Sequence, residues 1–200
     1  MARTRDPARF EARRCEILEA AAGCFIRRGF HQTGMQEICA AAGMSPGALY
    51  RYFDSKEAII EAIAEAEQRE NATLLADLAE SPDPVAGLEA VVEAVLLAYA
   101  DPDEGRLAVE VLAEAARNRR VAEGFLRNAA ELKAGVVAAL EAGQAEGAID
   151  PGLAAAPAAE VLIALLDGLC GRSILDPEHD PHALLPTLRT LVRRFLTAPA

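Results

Sequence analysis

The sequence predicts an all-α fold, with a small N-terminal unit of three helices followed by a larger helical region. In the long segments, apolar residues recur three and four positions apart, which is the spacing of an amphipathic helix. Proline and glycine break that spacing between segments, as at residues 81–84 and at Gly147. Hydrophobic residues make up 52% of the 200 residues, so the chain is expected to bury a sizeable core and not to be disordered.

The first helix is predicted over residues 9–28, with Gly29 as its stop. The residues that keep its helical period are Ile17, Leu18, Ala21, Ala22, Phe25 and Ile26. Before it, Arg3 and Arg5 belong either to a disordered terminus or to an arm that reaches a DNA minor groove.

A second, short helix is predicted to follow within the stretch HQTGMQEICAAAGMSPGALYRYFDSK, residues 31–56. Thr33 and Gln36 have the spacing of a capping box, in which two side chains satisfy the free N–H groups at a helix start. Ile38 continues the apolar stripe until Gly43 offers a stop.

The third helix is predicted to start at Ser45, which has the side chain of a helix cap, and at Pro46, which suits the first helical position. Leu49 and Phe53 form its buried face. Two short helices separated by a turn with Gly43 make a helix-turn-helix.

A helix-turn-helix docks its second helix in the major groove of DNA. Small residues at positions 46–48 bring the backbone close to base edges, while the polar side chains that follow offer donors to phosphates. A cation at the next helix start, Lys56, joins backbone N–H groups in holding a phosphate. The alternative is an ordinary hairpin with an aromatic core. The candidate DNA-binding residues are Thr33, Gln36, Ser45, Pro46, Gly47, Ala48, Tyr50, Arg51, Tyr52 and Lys56.

Six further helices are predicted from the apolar period and its breaks. They span about residues 55–80, 85–100, 103–117, 119–146, 154–175 and 182–197. The last two carry more apolar surface than one neighbouring helix covers, so a homodimer interface is predicted there. The alternative is a core within one subunit. The candidate interface residues are Val161, Leu165, Leu169, Leu188, Val192 and Phe195.

The net charge of −11 is unevenly distributed along the chain. Residues 1–60 carry nine Lys and Arg against seven Asp and Glu, whereas residues 61–200 carry eleven against twenty-four. The acidic remainder repels DNA, so only the segment with the helix-turn-helix is expected to face it.

The helix-turn-helix also carries a family resemblance. Residues 10–60 resemble the DNA-binding domain of the tetracycline-repressor (TetR/AcrR) family of one-component bacterial regulators, and the run AAGMSPGALYRYFDSKE is highly specific for it. Gly34, where a polar residue is common, and Cys39, where alanine is usual, depart from the pattern. Beyond about a quarter of the chain, the match is only in length, helicity and helix order.

The resemblance implies a ligand-responsive transcriptional regulator, a repressor that binds a palindromic operator as a homodimer and is released by a small-molecule inducer. It implies a DNA-binding domain over residues 1–54 and a helical effector-binding and dimerisation domain over residues 55–200. The middle helices are then expected to enclose an inducer pocket. The candidate ligand-binding residues are Tyr99, Arg106, Glu110, Glu114, Asn118 and Phe125. Aromatic residues are scarce beyond residue 53, which favours an aliphatic or small polar inducer.

Other functions remain open. An activator on the same fold differs only in the position of its operator, and a helical small-molecule carrier or enzyme would not bind an operator. The chain has neither a catalytic triad pattern nor a glycine-rich phosphate loop, so no enzyme and no cofactor are expected. The polar, basic start MARTRDPARF and the lack of a long apolar run predict a cytoplasmic protein without a membrane partner.

Several single residues have two interpretations each. The polar cluster at residues 176–182 is expected to hold helix-capping acids, with a metal site as the alternative. The cysteines Cys15, Cys24, Cys39 and Cys170 lack metal or disulfide spacing, so they are expected to be buried thiols, with a redox switch as the alternative. Asp167 interrupts the apolar run LIALLDGLCG and is an interface or a pocket residue.

Overall fold

The computed structural model describes residues 6–176 and 178–197, and the segment with Arg3 and Arg5 lies outside them. Within the described residues the chain folds into nine α-helices, which confirms the predicted fold class. They are α1 (Pro7–Arg28), α2 (Met35–Ala41), α3 (Pro46–Leu49), α4 (Lys56–Ala79), α5 (Pro84–Ala98), α6 (Pro102–Ala115), α7 (Arg119–Ala145), α8 (Ala155–Leu175) and α9 (Pro181–Leu196).

Aspartate followed by proline starts four of the helices, α1, α5, α6 and α9. The carboxylates of Asp6, Asp83, Asp101 and Asp180 each accept hydrogen bonds from backbone N–H groups two or three residues ahead. The proline at the first helical position has no N–H that needs a partner there. The acid at position 180 therefore caps a helix, as the sequence predicted for the polar cluster around it.

The first compact unit reaches along the chain to Glu67 and also includes Arg106–Phe125. It contains α1 to α3, the first half of α4, most of α6 and the start of α7. Its core is a single apolar cluster in which Ile17, Phe25, Ile38, Leu49, Ile59 and Ile60 are fully buried.

The second compact unit consists of Gln68–Gly105 and the residues from Leu126 onward. Its core is built mainly by α5, α8 and α9 and includes Leu88, Leu96, Leu140, Ala159, Val192 and Leu196. Two ion pairs tie α9 to α5: Arg193 binds Glu89 at 2.7 Å, and Arg189 binds Glu93. None of the described helices is long and apolar enough to cross a membrane.

Candidate nucleic-acid interface and internal pocket

The turn between α2 and α3 is closed by backbone hydrogen bonds around Gly43. The N–H of Met44 donates to the carbonyl of Cys39 at 2.9 Å, and the N–H of Gly43 donates to that of Ala40 at 3.2 Å. This is a Schellman motif, which requires a left-handed residue, and Gly43 has a φ of 61°. The predicted stop is confirmed, and it directs the chain into α3.

Helix α3 is a single turn that is anchored to the core by buried apolar side chains. Leu49 is fully buried, and Phe53 beyond it is 4% exposed. A helix of one turn is not stable alone, so this anchoring fixes its position. The opposite side is left to solvent.

Most of the candidate DNA-binding residues lie on that exposed side. The exposed residues are Gln36, Ser45, Pro46, Gly47, Tyr50 and Arg51, and Ala48 is half-buried. A Cβ atom added at Gly47 would have no heavy atom within 4 Å, so the backbone there is open to close approach. Tyr52 is half-buried and stacks on Phe10 with 4.6 Å between ring centroids, so its ring supports α1.

Thr33 does not take the exposed, helix-capping role that the sequence predicted. Its side chain is 2% exposed, and its hydroxyl donates to the carbonyls of Gly29 at 2.9 Å and Cys24 at 3.3 Å. The cap of α2 is Gly34, with no side-chain hydrogen bond. The predicted capping box is therefore wrong: the hydroxyl satisfies carbonyls at the end of α1, and it is not presented to a ligand.

Lys56 is also turned toward the protein. Its ammonium group donates to the carbonyl of Phe30, to that of Thr33 at 2.9 Å and to that of His31 at 3.5 Å. It also lies 4.2 Å from the centre of the Phe30 ring. In the structure this cation fixes the loop that leads into α2, where the sequence predicted a phosphate contact.

The acidic candidates on α6 bind the same loop. Glu110 accepts a hydrogen bond from the backbone N–H of Phe30 at 2.8 Å. Glu114, 6% exposed, accepts one from the side chain of Asn118 at 3.1 Å, and its other oxygen lies 3.5 Å from Nε2 of His31. Glu110 and Glu114 therefore hold α6 and the loop together within the first unit, and Asn118 supports Glu114. This is a structural use of groups predicted to bind a ligand.

The second unit contains a cavity that opens partly to solvent, and its empty space, open solvent included, is about 480 Å³. Its walls come from α5, α7 and α8, and none of the six candidate ligand-binding residues lines it. Arg106 is exposed, Tyr99 is half-buried, and Phe125 packs against the core of the first unit. The lining residues are Leu88, Val91, Val92, Val95, Leu132, Val136, Leu162, Ile163, Leu166 and Asp167.

Among the residues that the structure describes, Asp167 is the one polar residue in this lining. Partial burial raises the pKa of its carboxyl, and the negative charge of Glu160 raises it further. The residue is still exposed, so the carboxyl lies at the mouth of the cavity. Of the two interpretations left open by the sequence, the pocket residue is the one that the geometry supports.

The candidate interface residues on α8 and α9 divide into two groups. Val161 is 55% exposed, and Leu165, Leu169 and Phe195 are half-buried. Leu188 and Val192 are 5% and 0% exposed because α9 packs on α5 within the same chain. Those two were wrongly assigned to the interface.

The cysteines lie in different surroundings. Cys24, Cys39 and Cys170 are buried, as expected, but Cys15 is exposed on α1. Burial raises the pKa of the Cys24 thiol, and that of Cys170 to about 11. Both thiols are therefore held in the protonated, unreactive form.

Comparison with known proteins gives similarity along nearly the whole chain. Residues 17–63 match the family model of bacterial regulatory proteins of the tetR family, and residues 84–197 match the C-terminal region of BetI-type transcriptional repressors. The HTH-type transcriptional regulator UidR of Escherichia coli K12 is 31% identical, covering 92% of this chain and 93% of its own.

Solved structures of regulators are also similar to this chain. GusR of Salmonella enterica is 36% identical with a TM-score of 0.77, covering 92% of this chain and 95% of that one. FadR of Bacillus subtilis, solved in complex with stearoyl-CoA, has a TM-score of 0.78 over 91% of this chain and 98% of its own. At 20% identity, that second likeness concerns the fold alone.

Proposed function

Because the chain belongs to the TetR family of bacterial transcriptional regulators, we propose that it is a ligand-responsive repressor that binds a palindromic operator as a homodimer and leaves it when a small molecule binds. Residues 1–54 act as the DNA-binding domain in this proposal, and residues 55–200 bind the effector and the second subunit. The observation that carries it is α3, a one-turn helix anchored by Leu49 with its polar side open to solvent.

DNA contact is proposed for the residues that remain exposed. Gly47 admits close approach of the backbone to base edges, while Tyr50 and Arg51 donate to phosphates. Gln36 on α2 and Ser45 at the turn are further donors at this surface. The structure gives Thr33 and Lys56 internal partners, so we assign them to positioning the loop before α2.

Dimerisation is proposed through the exposed side of α8. Val161 is exposed and Leu165 and Leu169 are half-buried, which leaves apolar surface for a second copy. A Cβ atom at Gly168 or Gly171 would meet nothing within 4 Å in the same chain, so another helix has room to approach. A two-fold dimer then reads half-sites about 34 to 36 Å apart, or a multiple of that distance.

Release follows if the effector favours a dimer with a different half-site spacing. A coupling free energy of about 1 to 3 kcal/mol, the usual range, weakens operator affinity roughly 5- to 150-fold. The aliphatic cavity of the second unit is the proposed effector site.

The first experiment titrates the purified protein against the DNA upstream of its own gene, at two salt concentrations, with unrelated DNA as control. We expect tight binding at one palindrome. Arg51→Gln should reduce the steepness with which the logarithm of the DNA association constant falls against the logarithm of the salt concentration by about 0.9, since one phosphate contact is lost. Arg69→Gln removes the same charge from an exposed site on α4 and should leave the slope unchanged.

Equal affinity for all DNA would contradict a sequence-specific regulator at this site. If the two arginine variants changed the salt dependence of DNA binding equally, the placement of α3 against the phosphate backbone of DNA would be contradicted. Sedimentation at several concentrations tests the dimer: Val161→Arg should raise the dimer dissociation constant, and an unchanged constant would contradict the α8 interface.

A further inference from the structure

The cavity between α5, α7 and α8 has an unusual combination of walls. The other nine lining residues are valine, leucine or isoleucine, and the single polar group is the carboxyl of Asp167. No aromatic and no cationic side chain of residues 6–176 and 178–197 lines it. The pocket is partly open to solvent, and its chemistry is that of an apolar surface with one acidic group at its edge.

Asp167 has no side-chain partner in the described part of the protein, and its exposed carboxyl is left to solvent. None of the hydrogen bonds or ion pairs observed among the described residues involves its carboxyl, whereas the neighbouring acid Glu160 is paired with Lys133. Partial removal from water raises the pKa of the Asp167 carboxyl. A ligand that supplies a positive charge at this point would pair with the carboxylate and favour its ionised form.

From this geometry we propose that the effector is an aliphatic amine, with its alkyl body among the valines and leucines and its ammonium group on the carboxylate of Asp167. The inference rests on the proposed function only in naming this ligand the effector. Carboxylates and phosphates of similar shape are disfavoured, because no cation in the lining meets them and Asp167 repels them.

The test uses three probes with one alkyl chain and different head groups: n-octylamine, n-octanol and octanoate. Binding to the full-length protein, without DNA, is measured by isothermal titration calorimetry near neutral pH. Both octylamine and octanol can donate a hydrogen bond to the carboxylate, but only octylamine adds a full positive charge. An exposed ion pair contributes up to about 1 kcal/mol, so octylamine should bind up to about fivefold more tightly than octanol. Octanoate should bind most weakly.

Asp167→Asn keeps the shape of the side chain and removes its charge. It should weaken octylamine up to about fivefold and change octanol less, so that the difference between the two affinities disappears. Asp77→Asn, an exposed acid on α4, is the matched control and should change neither. Val95→Phe, which fills the cavity from α5, should weaken all three probes together and so ties the binding to this site.

Equal binding of octylamine and octanol to the unaltered protein would overturn the proposal, and that comparison needs no variant to fold. A preference for octylamine that survives in Asp167→Asn would overturn it as well. If octylamine binds as expected but leaves operator affinity unchanged, the ligand class stands and the inducible repressor fails. If the operator is bound but octylamine is not, only the ligand class fails.

Discussion

Replacing Lys56 by methionine tests the internal role that the structure gives this cation. Methionine keeps most of the aliphatic stem and removes the ammonium group, which donates to the carbonyls of Phe30, His31 and Thr33. The loop that these carbonyls belong to leads directly into α2. The variant therefore leaves them without their partner while the packing of the stem is largely kept.

The magnitude follows from opposing contributions. Hydrogen bonds to a charged group contribute about 1.5 to 3 kcal/mol each, and those to Phe30 and Thr33 contribute most, since the nitrogen lies 3.5 Å from the carbonyl of His31. Freeing the side chain returns up to about 2 kcal/mol of conformational entropy. Removing a cation from the first turn of α4 relieves an unfavourable dipole interaction of about 0.3 to 1 kcal/mol. We expect a net loss of about 2 kcal/mol in the free energy of unfolding.

The assay is urea denaturation followed by circular dichroism, at one protein concentration for all variants. The chain offers a matched control because its sequence contains one other lysine, Lys133, whose ammonium group pairs with Glu160 at the surface. An exposed pair of this kind contributes about 0 to 1 kcal/mol, so Lys133→Met should change stability little.

The reasoning is refuted if Lys56→Met and Lys133→Met lose the same small amount. Operator binding gives a second readout: a positioning lysine lowers affinity without changing the salt dependence. A decrease of about 0.9 in the log–log slope would instead mean that Lys56 contacts a phosphate.

Three further predictions concern stability. Gly143→Ala should cost about 1 to 3 kcal/mol in thermal denaturation, because its Cβ would lie 2.6 Å from Ile149 and 3.0 Å from Pro84, whereas Gly168→Ala should cost nothing in the subunit. Glu110→Ala should cost about 1 to 3 kcal/mol in urea, because a backbone N–H loses its acceptor, and an unchanged midpoint would show that solvent replaces it. Burial raises the pKa of the Asp167 carboxyl, so its proton is held more tightly in the folded state, and the stability of the protein falls as pH rises from the unfolded-state pKa to the folded-state pKa. Asp167→Asn should therefore have a higher melting temperature than the unaltered protein near pH 7 and the same melting temperature near pH 3. Equal melting temperatures at both pH values would contradict this reasoning.

The helical architecture was predictable because its boundaries depend on local chemistry. An Asp–Pro step satisfies the first N–H groups of a helix whatever the tertiary context, so the start of α5 after Asp83 follows from the sequence. Gly43 similarly fixes the end of α2, since few other residues adopt its left-handed conformation.

Other features of the structure depend on which element packs against a given helix face, and the spacing of apolar residues along the sequence does not show this. Leu188 and Val192 share the apolar face of α9 with residues closer to solvent, and only the packing on α5 shows that they are internal. Threonine is a residue type that suits a helix cap, but the hydroxyl of Thr33 donates a hydrogen bond to the carbonyl of Gly29 at the end of α1 and does not cap α2. The pocket joins residues of three helices that are far apart in sequence, and its one signal in the chain was Asp167 within an apolar run.

The open space around Gly47 has a consequence for how such a protein diversifies. Side chains that would meet DNA point away from the core, and those that keep α3 in place, Leu49 foremost, point into it. Under the proposed function, a substitution at position 47, where the backbone approaches base edges, therefore alters the preferred operator at little cost to folding. After gene duplication, two copies could come to control different promoters by single point mutations while the scaffold stays the same.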